Sequence, residues 1–248
     1  MSDPQNRRNP RDTRDTRDRR DGQDRQDGQD GQDRENSRGD GGSGGVRASL
    51  GSRGVPVHEQ VVDGFGTVVI RPLDAEGDAD VVHGWVSEER AVFWGMNGLT
   101  REQVAEIYAH MAGLDTHHAF LTELDGEPVA LLQTYEPAED RVGECYPVEP
   151  GDIGVHLLIA PAGGRGARPG WSAALLGVFA SYVLVGLDRP RVVVDPDVRN
   201  EKAVARFFRQ GFEAGPVVTL PEIDLPDVYL PEKKAQLAFL RREVAFPG

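Results

Sequence analysis

Asp152-Ile153-Gly154-Val155-His156-Leu157-Leu158-Ile159-Ala160 is a nearly continuous apolar run. It is followed by Ala162-Gly163-Gly164-Arg165-Gly166-Ala167-Arg168-Pro169-Gly170, a helix-period segment Trp171 to Leu187, and Arg191-Val192-Val193-Val194-Asp195-Pro196. The order is strand, Gly-rich loop, helix, strand, which predicts a right-handed parallel crossover from Asp152 to Asp195. The loop feeds directly into the helix N-terminus, where unpaired backbone N–H groups converge. A pyrophosphate can rest there, with Arg165 or Arg168 adding charge. The loop fits neither the Walker pattern nor G-x-G-x-x-G, which argues against nucleotide hydrolysis and a nicotinamide cofactor. A plain Gly-rich connection is the simpler reading of the same residues.

Outward from this unit the texture stays mixed. Phe65 to Arg71 reads as a strand closed by Pro72, and Asp78 to Trp85 as a short helix capped by Asp78. Thr100-Arg101-Glu102-Gln103 is a capping box that starts a helix running to about Gly113. His118 to Leu124, Asp125-Gly126 and Glu127 to Tyr135 form a hairpin. Asn200 to Gln210 is an amphipathic helix with Ala203, Phe207 and Phe208 inward, stopped by Gly211; Phe212 to Leu220 and Gln236 to Val244 read as closing strands. The sum is one α/β (α+β) domain, a mixed sheet with helices on both faces, spanning residues 56–248.

Residues 1–55 differ. They cycle through Arg-Asp-Thr, Asp-Gly-Gln and Gly-Ser, with almost nothing to bury, and read as a disordered solubilising tail. The 248-residue chain carries 28 Lys and Arg against 41 Asp and Glu, a net charge of −13. Residues 1–53 hold twelve Arg and eleven acidic residues, so the folded part keeps 16 basic against 30 acidic groups. That imbalance repels phosphate backbones and excludes a nucleic-acid reader. The single cysteine, Cys145, can form neither an internal disulfide nor a four-thiolate zinc site, which fits a reducing compartment. Leu175 to Leu187, the most apolar stretch, falls short of the roughly 20 residues of a membrane span. No membrane association and a cytoplasmic location are expected.

The blocks Asp152-Ile153-Gly154-Val155-His156, the Gly/Arg loop, Asp195-Pro196-Asp197-Val198-Arg199-Asn200 and Gly211-Phe212 together resemble the GNAT acyltransferases, in the branch that serves siderophore biosynthesis. His117-His118-Ala119-Phe120-Leu121 and Gln133-Thr134-Tyr135 resemble the desferrioxamine type within it. The resemblance covers about Phe65 to Val244 and departs in the loop, where Pro169 is inserted. It implies a mostly antiparallel sheet with a central splayed parallel pair and acyl-CoA, acetyl or succinyl, as co-substrate without a metal. Arg165, Gly166, Arg168, Gly170 and Asn200 would then lie along the coenzyme. The expected partner is a small cationic amine derived from lysine or a diamine, with an acyl carrier protein as an alternative donor. Aminoglycoside N-acetyltransferases carry similar Asp-Pro-Asp and Gly-Phe pieces, and a non-catalytic acyl-CoA-binding module would share the loop.

Acyl transfer to an amine needs a phosphate anchor, donors for the developing oxyanion and a group to take the amine proton. Period two puts Asp152, Gly154 and His156 on one face, with Gly154 offering a close approach for the thioester. The resemblance implies that Asp195 accepts the proton and that His156 contacts substrate; physically the carboxylate can act as base if partial burial raises its pKa, and Asp152 and His118 are further substrate-binding candidates. Plainer readings stay open for each. Asp195 can be a turn former before Pro196, His156 a hydrogen-bonded core residue, Asn200 a helix cap, and His117-His118 a strand-end pair. Asp152 can hold a substrate ammonium or orient a neighbour, and Phe93, Trp94 and Trp85 can wall a pocket or fill the core.

Overall fold

Among the described residues, ten strands and five α-helices follow one another: β1 (His58–Val62), β2 (Gly66–Pro72), α1 (Ala79–Val86), α2 (Arg101–Met111), β3 (His117–Leu124), β4 (Glu127–Tyr135), β5 (Asp152–Ile159), α3 (Trp171–Ala180), β6 (Arg191–Val194), α4 (Glu201–Arg209), β7 (Glu213–Leu220), β8 (Ile223–Leu225), β9 (Val228–Leu230), β10 (Lys233–Arg241) and α5 (Arg242–Ala245). This is a computed structural model that describes residues 54–162, 168–225 and 228–248, all within the unit Gly44–Gly248. The expected tail up to residue 53, and the loop residues Arg165 and Gly166, lie outside the described residues.

Eight strands form one sheet in the order β1-β2-β3-β4-β5-β6-β10-β7. Every neighbouring pair is antiparallel except β5 and β6. One face buries Ile70, Phe120, Leu132, Val155 and Val194 under α3 and Phe207 of α4. The other packs Leu121, Leu131 and Leu158 against Val82 of α1 and Val104 and Tyr108 of α2. This is the mixed sheet with helices on both faces that the sequence pattern predicts, and it is mostly antiparallel as the family resemblance implies.

Local chemistry explains the element boundaries. Thr100 Oγ1 accepts from Gln103 N and the Gln103 side chain returns to Thr100 N, so the capping box forms. Asp125 and Gly126 adopt the positive φ angles, 51° and 83°, that the β3–β4 turn requires. Asp78 does not cap α1: its carboxylate is held by Arg71 through two 2.8 Å bonds and by the Asp74 N–H. Phe208 is 38% exposed rather than inward, because adjacent helical residues point about 100° apart and Phe207 takes the buried side. The closing strand starts three residues earlier than expected, at Lys233, and ends in α5. The long apolar helix passes from α3 into a π-helical turn, Ser181–Gly186.

The parallel pair is pinned at one end and open at the other. β5 and β6 pair only through Asp152↔Arg191, Ile153↔Val192 and Gly154↔Val193. Beyond Gly154, β5 stays with β4 as far as Ile159↔Ala130, while β6 follows β10 through Val194↔Ala238 and the Asp197↔Ala235 bridge. Each strand keeps its antiparallel partner and the two diverge. At the closed end Arg191 clasps Asp152 through Nε (2.7 Å) and Nη2 (2.6 Å), and Asp152 also accepts from the Tyr146 hydroxyl and Glu149 N, both at 2.9 Å. Burial disfavours the ionised Asp152, yet Arg191 and the other donors together hold its pKa below the usual carboxylate range. Asp152→Ala leaves the buried Arg191 guanidinium with only the half-exposed Glu149 carboxylate as counter-charge, so urea unfolding should show a loss of about 3 kcal/mol, the low end for a broken buried pair. A loss of less than about 1 kcal/mol, the size of a surface pair, would contradict this role.

Candidate active site

His156 and Asp195 face each other across the opening between β5 and β6. His156 Nε2 lies 3.0 Å from Asp195 Oδ1. The same oxygen accepts from the Tyr135 hydroxyl at 3.0 Å, and Oδ2 accepts from Lys233 Nζ at 2.6 Å. Asp195 sits at the C-terminal end of β6, the end of a parallel pair where ligands of α/β sheets bind. Lys233 enters from the first residue of β10 and Tyr135 from the last residue of β4. One carboxylate therefore ties together the C-terminal end of β6, the middle of β5 and the nearer ends of β4 and β10.

Glycine at position 154 makes this geometry possible. A Cβ built there would stand 2.1 Å from the Tyr135 ring. The ring crosses β5 over Gly154 and delivers its hydroxyl to Asp195. The space that the sequence reading reserved for a thioester above Gly154 is thus filled by Tyr135.

The electrostatics correct a second expectation. Asp195 is 3% exposed, and such burial by itself raises a carboxyl pKa. The nearby His156 and Lys233 charges, with their hydrogen bonds, outweigh burial and hold the carboxyl well below the usual range. Asp195 is an ionised anchor and a poor proton acceptor. His156, by contrast, has a side chain 38% exposed, so part of the imidazole ring is accessible to an incoming molecule. The Trp94 ring meets it edge-on with centroids 6.4 Å apart, and Tyr135 lies at 4.9 Å.

The remaining expected residues divide. Asp152 is on the same face as His156 but four residues back along β5, both oxygens taken up by Arg191 and its neighbours, so it serves the closed end of the pair and does not face an amine. His118 pairs with Thr134 across β3 and β4, while Gln133 pairs with His156, so strand alternation puts His118 on the opposite face from His156. Its neighbour His117 is on the same face as His156, stacked on Tyr135 and 3.8 Å from Asp140. Arg168 is held by the carbonyls of Phe65 (3.1 Å) and Gly64 (2.5 Å) and lies over the Phe65 ring. Gly170 is the N-cap of α3 at φ 81°. Asn200 caps α4, its Oδ1 accepting from Ala203 N at 3.2 Å. Beneath the opening, Val155, Val192, Val194, Phe179, Phe207 and Phe212 border a small apolar void. Lys233 and Tyr135 are site residues without assigned roles in the sequence reading; Tyr135 carried a signal, as the end of the Gln133-Thr134-Tyr135 block, and Lys233 carried none.

The sequence profile of the acetyltransferase (GNAT) domain matches residues 74–220. The chain belongs to the GNAT acetyltransferase family. Among curated GNAT relatives, the N(6)-hydroxylysine O-acetyltransferase of Escherichia coli is 33% identical over 160 residues, 63% of this chain and 48% of that protein. A lysine N-acyltransferase of a Mycobacterium strain is 27% identical over 136 residues, 54% of each chain. This chain thus spans about half the length of these two relatives. The aminoglycoside N(6')-acetyltransferase of Serratia marcescens is 23% identical over 194 residues, 76% of this chain and 94% of that one. A solved aminoglycoside acetyltransferase AAC(6')-Ib, in complex with paromomycin and acetyl-CoA, shares the GNAT fold with a TM-score of 0.56 and 23% identity, covering 72% of this chain and 95% of that one.

The ionised Asp195 has a consequence for stability. Its folded-state pKa lies below the unfolded value of about 3.9, so its contribution is complete above about pH 4 and is lost as pH falls toward the folded value. Urea midpoints of the parent chain and Asp195→Asn should be furthest apart above about pH 5 and converge as pH drops below about 4. A gap that is constant across this range would contradict an ionised, ion-paired Asp195.

Proposed function

We propose that the protein is an N-acyltransferase that moves an acyl group from coenzyme A to the amine of a lysine- or diamine-derived, N-hydroxylated siderophore precursor. The observation that carries the reading is the pair at the mouth of the β5–β6 opening: an exposed imidazole backed by a buried, ionised carboxylate. The printed activities of the hydroxylysine and lysine acyltransferase relatives supply the substrate class.

The chemistry follows from the positions. The amine nitrogen attacks the thioester carbonyl, the C–N bond forms, and the C–S bond breaks to release the thiol. The proton that the nitrogen sheds goes to His156 and from there to the departing sulfur. Asp195 accepts from Nε2 and stabilises the imidazolium while it exists, with Lys233 and Tyr135 keeping the carboxylate ionised and in place. This departs from the assignment of Asp195 as the acceptor, because a carboxylate with three donors on it has little affinity for another proton. A hydroxylated amine is mostly neutral near pH 7, so positioning contributes more than base strength. The acidic domain favours approach of a cationic substrate.

A second reading rests on the long alignment with the aminoglycoside N(6')-acetyltransferase, which spans 94% of that enzyme. Release of free thiol from acetyl- or succinyl-CoA separates the two when hydroxylysine and hydroxycadaverine are run beside a kanamycin-type sugar. The proposal expects turnover with the linear amines and a drop in kcat of about 10²–10⁴-fold for His156→Ala. Faster turnover of the sugar would favour the second reading, and no thiol release with any amine would reject an enzyme.

A further inference from the structure

The side of His156 away from Asp195 meets a chain of polar groups that the proposed reaction does not use. Its Nδ1 lies 3.4 Å from Oε1 of Gln133; Gln133 Nε2 lies 3.1 Å from the Tyr108 hydroxyl; and that hydroxyl accepts from the Trp94 indole N–H at 3.2 Å. Gln133 is 8% and Tyr108 2% exposed, so solvent cannot readily supply missing partners. An indole nitrogen only donates and a carboxylate only accepts, so the two ends of the chain have fixed polarity. The amide in the middle can be turned by half a rotation, which exchanges its donor and acceptor ends.

The two orientations imply different histidines. With Oε1 toward His156, Nδ1 must carry a proton, and Nε2 must also carry one to reach Asp195. The ring is then an imidazolium, which has no lone pair for an amine proton. In this orientation the Tyr108 oxygen receives two N–H donors, and among the described residues its own proton finds no acceptor. With the amide turned, every group is matched: Trp94 N–H donates to Tyr108, Tyr108 O–H donates to Gln133 Oε1, Gln133 N–H donates to Nδ1, and Nε2–H donates to Asp195. A buried hydroxyl proton without an acceptor is unfavourable, so the donor-only indole selects this second arrangement.

We propose that Trp94, Tyr108 and Gln133 form a directional hydrogen-bond chain that holds resting His156 in its neutral Nε2–H tautomer, with the Nδ1 lone pair weakly held and exchangeable for the incoming amine. When the ring takes the amine proton on Nδ1, the amide turns over and Oε1 accepts that N–H; when the proton leaves, the chain returns. Gln133 and Tyr108 are positioning residues: they set which form of His156 is stable without touching substrate-derived atoms in the resting site. The inference rests on the reading of His156 as proton acceptor, but the tautomer itself can be observed without turnover.

Other charged and titratable groups surround the ring: Asp195 at the end of β6 with Lys233 from β10 behind it, Tyr135 from β4 with His117 of β3 stacked on it, and Asp140 from the segment after β4. None of them is altered by changing Tyr108 or Gln133. Nitrogen-15 NMR of the histidine-labelled full chain, with His156 identified by its loss in His156→Gln, reads the tautomer directly. Above the acid limb of activity, Nε2 should be protonated and Nδ1 unprotonated; an Nδ1–H tautomer or a doubly protonated ring there overturns the proposal. Tyr108→Phe and Gln133→Glu each release or reverse the bias. For Tyr108→Phe the acid limb of the kcat/KM–pH profile should therefore move upward by about one pH unit, the size expected when one ordinary hydrogen bond changes sides, and for Gln133→Glu, which adds a carboxylate beside the ring, it should move further. If the chain turns over no amine, the same shift is read from the NMR titration of His156, so failure of the proposed activity does not conceal the result. A fall in kcat with an unmoved limb and unmoved titration in both variants would reduce the chain to packing and overturn the inference.

Discussion

Asp195 is the interaction on which the rest of the site depends. Its two oxygens collect an imidazole from β5, a phenol from β4 and an ammonium from β10, so that one buried carboxylate links three strands of the sheet. Burying a carboxylate is costly unless charges and donors compensate, and here all three partners do so at once. The compensation makes the carboxylate chemically quiet. It fixes the imidazole, and in the proposed reaction proton exchange falls to the ring, which keeps some exposure. The separation of roles between anchor and exchanger follows from burial: the 3% exposed group is held, and the 38% exposed one is free to react.

The same sheet also explains why there is an opening for His156 to face. Two parallel strands flanked by antiparallel partners can pair only where their directions agree, and the Asp152–Arg191 clasp fixes that place at their beginnings. Farther along, each strand follows its own antiparallel neighbour. A closed end held by a buried ion pair and an open end bounded by a second one create a wedge whose underside is apolar. The two buried aspartates look alike in the sequence, but one closes the wedge and the other organises its mouth.

Much of this was legible in the sequence because it is local. The β-branched runs, the Thr100 capping box and the Asp125-Gly126 turn specify their elements through contacts within a few residues, and the strand-loop-helix-strand order specifies the crossover. Period two correctly put His156 and Asp152 on one face. It could not say that Asp152 would be consumed by Arg191, because that pairing depends on strand register set by residues 39 positions apart. Choosing His118 over His117 was a one-residue ambiguity that a strand converts into opposite faces of the sheet. Lys233 was invisible because it reaches Asp195 from the last sheet strand, and Gly154 was misread because the ring that fills its space arrives from β4. The direction of the Asp195 pKa likewise required knowing what surrounds it: burial was foreseeable, and the ammonium beside it was not.

The protonation state of Asp195 across the working range tests the central claim most directly. Carbon-13 NMR of the full chain labelled at aspartate side-chain carboxyls, with the Asp195 resonance identified by its loss in Asp195→Asn, can follow it from about pH 4 to about pH 9. The account predicts a carboxylate signal with no proton uptake anywhere in that range. A resonance that titrates near neutrality, in step with the loss of acyl transfer, would make Asp195 the proton acceptor and contradict the account.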